Sequence, residues 1–241
     1  MKNLELTWLG HSTFLLDTPG GKRVLIDPWV MGNPACPDAY KSLDKLDLML
    51  ITHGHFDHIG DAVELARRTE AQVVAIFETY LWLAGKGVKT GMGMNKGGKV
   101  PVQGIQVRMV DARHSCGIQD GDQVIYGGEA CGFVLTLEDG LKVYHAGDTA
   151  LFGDMQLIGE RYAPDIALLP IGDLYTMDPS DAARAVELIG ARRVVPMHHS
   201  TFEGLPGKPA DFVAAVGGKA EVTVLQPGQT QAFAPAVAAA R

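Results

Sequence analysis

Within the segment Thr52-His53-Gly54-His55-Phe56-Asp57-His58, three imidazoles and one carboxylate fall inside six consecutive positions. With 8 histidines in 241 residues, that spacing arises by chance in fewer than about one such chain in a thousand. Imidazole nitrogens and carboxylate oxygens are donors suited to zinc, iron or manganese. As a plain surface turn the cluster gains little, because protonated imidazoles this close repel one another. On an irregular turn, His53 and His55 can converge on one ion while Asp57 and His58 reach a second. Gly54 is expected to permit the tight bend this needs. Two ions require further donors. His114, Asp148 and His198 each stand just beyond a segment that reads as a strand, where open α/β sheets place their sites.

The elements that must position these residues follow from hydrophobic patterning. Residues 4–9, 12–17 and 24–26 read as short strands, with Pro19-Gly20-Gly21 as a turn. Residues 46–52 form a nearly continuous apolar run that stops at His53, as a buried strand opening into a functional loop would. Residues 61–69 carry a helical period with Ala62, Leu65 and Ala66 on one face. A strand at 73–76 and a helix at 78–84 follow. The stretch 85–98, GKGVKTGMGMNKGG, is expected to hold no regular structure. It reads either as a mobile lid whose lysines draw an anion or as a solvated loop. Residues 105–111 form a strand, and 115–129 a polar, glycine-rich connection. A hairpin at 133–137 and 141–144 turns on Asp139-Gly140. The remaining pattern is helix 152–161, strand 166–170, helix 179–189 opening on Pro179, strand 193–197, helix 211–216 and strand 221–225. Two similar halves, roughly 1–113 and 130–230, each supply hairpin strands first and strand–helix alternation later. The expected fold class is α/β: one domain over 1–241, a four-layer αββα sandwich of two mixed β-sheets. The tail 231–241 is expected to fray.

Composition narrows the partners. An apolar fraction of 46% excludes a disordered chain, and a net charge of −7 argues against a nucleic-acid binder. There is no apolar run of about 18 residues and no secretory h-region at the start. The expected partner is a small-molecule substrate, with no nucleic acid and no membrane, and the expected location is the cytoplasm. Cys36, Cys116 and Cys131 match no paired spacing and fit a reducing compartment. Cys116, two residues after His114, is either a site contact or a free thiol. The apolar content permits a homo-oligomer. Glycine is abundant, at 29 residues.

The motif HGHFDH resembles the HxHxDH signature of the metallo-β-lactamase superfamily. The segments WLGHSTF, LIDPW, THGHFDH, YHAGDTALFGDM, LLPIGDLYTMDP and PMHHSTF resemble, more closely, a bacterial family of metal-dependent hydrolases. That family is similar to the L-ascorbate-6-phosphate lactonases. The resemblance runs from Leu6 to about Gly228 and is specific for fold and metal site, not for substrate. It implies the metallo-β-lactamase-like sandwich and two divalent ions, zinc foremost, with manganese or iron as the other candidates. It further implies that His53, His55 and His114 hold the first ion, that Asp57, His58 and His198 hold the second, and that Asp148 bridges both. Phe56 departs from the pattern, replacing a small residue and narrowing the mouth of the site. His199 stands where tyrosine is frequent; the register after Pro196-Met197 favours His198 as the ligand. His11, His145 and His199 are expected to orient ligands, to touch substrate or simply to pack. Asp173 is expected near the site. Asp27 and Asp47 either fix imidazole tautomers or cap local backbone.

A water shared by two divalent ions reaches a pKa near 7 and can attack a carbonyl or phosphoryl centre. Asp57 would orient it and Asp148 would hold the ions apart, the two catalytic roles. The expected function is hydrolysis of a small ester, lactone or phosphoester; the lactonase-like similarity and the lysines of the 86–99 loop lean toward an anionic substrate. The alternatives are a di-iron protein of oxygen chemistry on the same fold and a phosphodiesterase or nuclease.

Overall fold

The structure, a computed structural model, describes residues 2–235. In chain order it runs β1 (Leu4–Trp8), β2 (Phe14–Asp17), β3 (Arg23–Ile26), β4 (Leu48–Ile51), α1 (Phe56–Ile59), α2 (Ala62–Thr69) and β5 (Gln72–Ile76). Then come α3 (Phe77–Gly85), β6 (Gly91–Met94), β7 (Lys99–Val102), β8 (Ile105–Asp111), β9 (Gly117–Asp120), β10 (Gln123–Tyr126), β11 (Cys131–Thr136) and β12 (Lys142–His145). The chain closes through α4 (Met155–Tyr162), β13 (Ile166–Pro170), α5 (Pro179–Ile189), β14 (Arg193–Met197), α6 (Pro209–Val216), β15 (Glu221–Val222) and β16 (Thr230–Phe233).

Side-chain alternation explains the layering. In β4, Leu48 and Leu50 point into a cluster shared with Val107, Phe133, Leu168 and Val195 of the opposing strands. Met49 and Ile51, one position out of phase, pack against Ala62, Leu65 and Ala66 of α2 and Leu83 of α3. The opposite sheet repeats the device: Ala167 and Leu169 of β13 turn outward onto Met155 and Ile158 of α4 and Val186 of α5. Each fully buried leucine contributes about 1.5–3 kcal/mol, so a strand apolar on both faces is stable only between two covered sides. Two seven-stranded mixed sheets result, β16-β1-β2-β3-β4-β5-β6 and β15-β14-β13-β12-β11-β8-β7, with helices on both outer faces. This is the expected αββα sandwich.

Helix α5 shows how local signals set an element. Asp178 caps it by accepting from Asp181 N–H at 2.7 Å, Pro179 occupies the first turn, and Gly190 ends it at φ 68°. No helix among the described residues is long and apolar enough to cross a membrane.

Three sequence expectations need correction. The stretch 85–98 is not structureless: β6 lies within it and pairs in parallel with β5, Val74 facing Met92 and Ile76 facing Met94. Both methionines pack against the central core, and Gly91 permits the approach, since a Cβ there would stand 2.3 Å from the Val73 carbonyl oxygen. The connection 115–129 contains the β9–β10 hairpin, a two-stranded unit of its own. Residues 231–233 do not fray but pair within β16 against β1; 236–241 lie outside the described residues. Sheet membership also crosses the sequence halves, because β7 and β8 join the second sheet and β16 joins the first.

Candidate metal centre

The loop after β4 and the short helix α1 deliver His53, His55, Asp57 and His58. The ends of β8, β12 and β14 deliver His114, Asp148 and His198 from the other sheet. Their donor atoms meet where the two sheets open. The His55 Nδ1 lies 3.0 Å from His53 Nε2 and 3.2 Å from His114 Nε2. One lone pair or proton on His55 cannot serve two neighbours at once. Three nitrogens about a common ion at about 2.0–2.1 Å would instead stand about 3.3 Å apart. A second group gathers Asp57, His58 and His198 together with His11. The Asp148 Oδ2 sits between them, 2.9 Å from His198 Nε2, 3.2 Å from His58 Nε2, 3.8 Å from His114 Nε2 and 4.0 Å from His53 Nε2.

His58 carries the clearest sign of a ligand. Its Nδ1 donates to Asp27 Oδ2 at 2.7 Å. Its Nε2 is buried and makes no hydrogen bond, although Asp148 is near. A buried imidazole nitrogen without a partner is costly unless it binds something. The donor set therefore fits divalent metal ions, and the buried His/Asp groups are those such ions require.

The supporting contacts resolve what the sequence left open. Asp27 also accepts from the backbone N–H and the hydroxyl of Thr52, both at 2.8 Å, and Thr52 Oγ1 lies 3.0 Å from His53 Nδ1. One carboxylate thus orients imidazoles of both groups. Asp47 instead caps backbone, accepting from Arg23 N–H at 2.9 Å. His145 is structural: Nε2–H donates to the Ser12 carbonyl and Nδ1 accepts from Gly147 N–H. The tethered Ser12 donates through its hydroxyl to Asp148 Oδ1 at 3.4 Å. His11 goes further than expected, its Nε2 lying 2.9 Å from Asp57 Oδ2. His199 stacks on Trp8 at 4.8 Å and joins neither group. Asp173 lies on an exposed loop and lines a depression with Leu174, Glu203 and Phe202, the last of which also lines the cleft above the donors; Asp173 itself is not among the residues lining that cleft. Cys116 is buried, its Sγ donating to the Gly127 carbonyl.

His11, Asp27 and His198 hold left-handed backbone conformations at φ 55°, 51° and 56°. Such strain persists where surrounding structure demands it: the His11 carbonyl accepts from both Trp8 Nε1 and His198 N–H, locking the β1–β2 turn to the end of β14. Gly54 serves differently from the expected bend. Its φ is not positive, and a Cβ would stand 2.4 Å from Ile118 Cγ1, so glycine is needed for close approach of the 115–118 segment.

Electrostatics follow from burial. Burial, reinforced by the His58 charge, holds His53 well below its ordinary value, and burial likewise lowers His55 and His114. Burial opposes charge on His58 too, but Asp148, Asp27 and Asp57 outweigh it and raise that imidazole well above its usual range. Burial works against the Asp57 charge, yet His58 and His11 bring it down to about 2. Asp148 is likewise held ionised, burial being outweighed by His198 and His58.

A cleft of about 610 Å³ opens above these donors, walled by α1, the β9–β10 hairpin and the loops after β13 and β14. The lysines of 85–98 do not reach it. Lys86 pairs with Asp120 at 2.7 Å, and Lys96 with Asp111 at 2.6 Å and with Glu129. None of the lysines of 85–98 is among the described residues that line the cleft.

Comparison with known proteins agrees with this geometry. The Beta-lactamase superfamily domain matches residues 22–199. A UPF0173 metal-dependent hydrolase from Koribacter versatilis is 55% identical over 95% of this chain and 98% of its own length. Another from Rubrobacter xylanophilus is 51% identical over 93% and 95%. Among solved structures, Igni18, a metallo hydrolase from the hyperthermophilic archaeon Ignicoccus hospitalis, superposes with a TM-score of 0.85. It is 40% identical and covers 96% of this chain and 99% of its own. Identity at this level over nearly the whole length, on a fold that gathers buried His/Asp donors, makes this chain a member of the UPF0173 metal-dependent hydrolases within the metallo-β-lactamase superfamily.

Proposed function

We propose that this metal-dependent hydrolase uses two divalent ions, zinc in the first place, to hydrolyse a small ester, lactone or phosphoester. The position of Asp148 Oδ2 between two donor groups is the observation that carries the dinuclear reading. In this reading His53, His55 and His114 hold one ion, Asp57, His58 and His198 hold the other, and Asp148 serves both. The ions, when bound, supply Lewis acidity that makes water nucleophilic and polarises the substrate oxygen. The chain's own residues do the rest. Asp27 keeps a proton on His58 Nδ1 and turns Nε2 inward. Ser12, tethered by His145, aligns the Asp148 carboxylate. Asp57, held ionised beside His11 and lining the cleft, orients the attacking water. A small molecule rather than a nucleic acid is the proposed substrate, because no lysine or arginine is among the cleft-lining residues described. Cys36, Cys116 and Cys131 as free thiols support work in the cytoplasm.

The test is metal analysis of the purified full-length protein beside hydrolysis of ester, lactone and phosphodiester panels. Zinc near two ions per chain, with activity lost to a chelator and restored by zinc, is expected. Stoichiometric iron with a visible absorption band and no hydrolysis would replace this reading with oxygen chemistry.

A further inference from the structure

Four apolar side chains from four separate segments frame the cleft: Phe56 on α1, Val124 on β10, Tyr175 in the loop after β13 and Phe202 in the loop after β14. They are 59%, 78%, 56% and 37% exposed. Exposed aromatic surface converging on a concave site is the ordinary mark of a ligand-binding wall. Their support is local and leaves the outer faces free. Phe56 meets Trp29 edge-on at 5.9 Å, and the Phe202 ring lies 5.5 Å from His11. Apart from the donor imidazoles and the Tyr175 hydroxyl, Ser115 and Gln119 are the uncharged polar side chains among the described wall residues. Asp57 and Asp148, the carboxylates that line the cleft, are committed to the ions in the proposed centre. Nearby cations are spoken for: Arg113 pairs with Asp111 at 3.0 Å, Lys86 with Asp120, and Lys96 with Asp111 and Glu129. A phosphate or carboxylate on the substrate body would be desolvated against aromatic rings with no protein cation to receive it.

We propose that the cleft selects a neutral ester or lactone with an apolar aryl or alkyl body, which lies against Phe56, Val124, Tyr175 and Phe202. This selection rests on the hydrolase reading above. The reaction adds water across the acyl C–O bond: its oxygen joins the acyl carbon, and a proton goes to the departing alkoxide.

The test compares a phenyl-substituted γ-lactone with the same lactone bearing a phosphate, using the zinc-loaded full-length protein. The neutral lactone is expected to show about tenfold or greater kcat/KM. In Phe202→Ala and Tyr175→Ala the ratio of kcat/KM for the phenyl lactone to that for unsubstituted γ-butyrolactone is expected to fall about tenfold, the loss of one apolar wall contact. Val124→Lys, at a highly exposed position that tolerates charge, is expected to shift preference toward the phosphate-bearing lactone. Equal or better use of the phosphorylated lactone by the native protein, or unchanged ratios in the variants, overturns the proposal. A second measurement does not depend on turnover: calorimetric binding of a phenyl-substituted cyclopentanone and its phosphate-bearing counterpart to the zinc-loaded full-length protein. Preference for the neutral ketone, lost in Phe202→Ala, upholds the apolar cleft even if no lactone is hydrolysed, in which case the hydrolase reading alone fails. Absence of any preference for the neutral ketone overturns the substrate class.

Discussion

Asp27 shows how a residue that touches no substrate can govern the centre. Its two oxygens take the His58 Nδ1 proton and the Thr52 hydroxyl and N–H, so both donor groups depend on one buried carboxylate. Asp27→Asn keeps the volume but loses the charge that holds His58 in place. Affinity for zinc is expected to fall about 10–100-fold with an unchanged circular dichroism spectrum, measured by competition with a chelating dye. Unaltered affinity would remove Asp27 from this role. Protonation offers a second check. Six histidines, His11, His53, His55, His114, His145 and His199, sit below their ordinary value through burial, His11 and His199 at about 4. His58 alone is raised. As pH falls from 6.5 toward 4, the unfolded chain takes up protons on those six ahead of the folded, metal-free chain, whose rings are lowered by burial. Stability must therefore drop across that window, whereas the His58 contribution is kept there and lost only as pH rises through its raised value. Urea midpoints of the metal-free protein are expected to fall steadily from pH 6.5 to 4, less steeply in His199→Gln. A flat profile would contradict the burial of these rings. Loading zinc at pH 7 is expected to release about one proton, from His58, visible as buffer-dependent heat in calorimetry.

At the scale of elements, glycines set what can approach what. Strand β6 sits against β5 because Gly91, at φ 142°, brings its backbone within reach of Val73. In Gly91→Ala the added methyl meets backbone rather than a movable side chain, in a conformation that alanine adopts only with strain. A loss of about 2–4 kcal/mol is expected in urea unfolding. Fast amide exchange confined to residues 86–98 would accompany it, as β6 peels from the edge while β4 and the donor loop hold. A stability unchanged within about 0.5 kcal/mol would show that β6 does not need this contact. Gly54 ties a different pair of elements. It lets the loop that carries His53 and His55 lie under Ile118 of β9, so the hairpin that walls the cleft is registered directly on the donor loop.

At the scale of the whole molecule, the donors come from both sheets. His53, His55, Asp57 and His58 follow β4 of the first, and His114, Asp148 and His198 follow strands of the second. Ions held between them as proposed would cross-link the layers in the folded state and have no such cage in the unfolded one. Zinc at 100 times its dissociation constant is expected to add about 2.7 kcal/mol for each ion bound, or about 5–10 °C in Tm per ion for a chain of this size. Calorimetry before and after chelation measures it. No change in Tm on chelation would mean that the ions do not bridge the sheets.

Much of this protein is legible in one dimension because its signals are local. The HGHFDH cluster is contiguous, the run 46–52 is apolar on both faces, and α5 carries its own cap, proline and terminal glycine. Each depends on neighbours a few residues away, so the metal-ligating chemistry, the layer order and several element bounds can be read from the chain alone. What the tertiary structure decided depends on distant partners. Strand β6 is made by Val74 and Ile76 receiving two methionines from a glycine-rich stretch. Asp27 rather than Asp47 orients the imidazoles because the end of β3 lies beside β4. His11 meets Asp57 across 46 residues. The cleft wall with its aromatic rim exists only once four remote segments converge. Propensity and spacing say nothing about such meetings, because they are settled by packing between sheets.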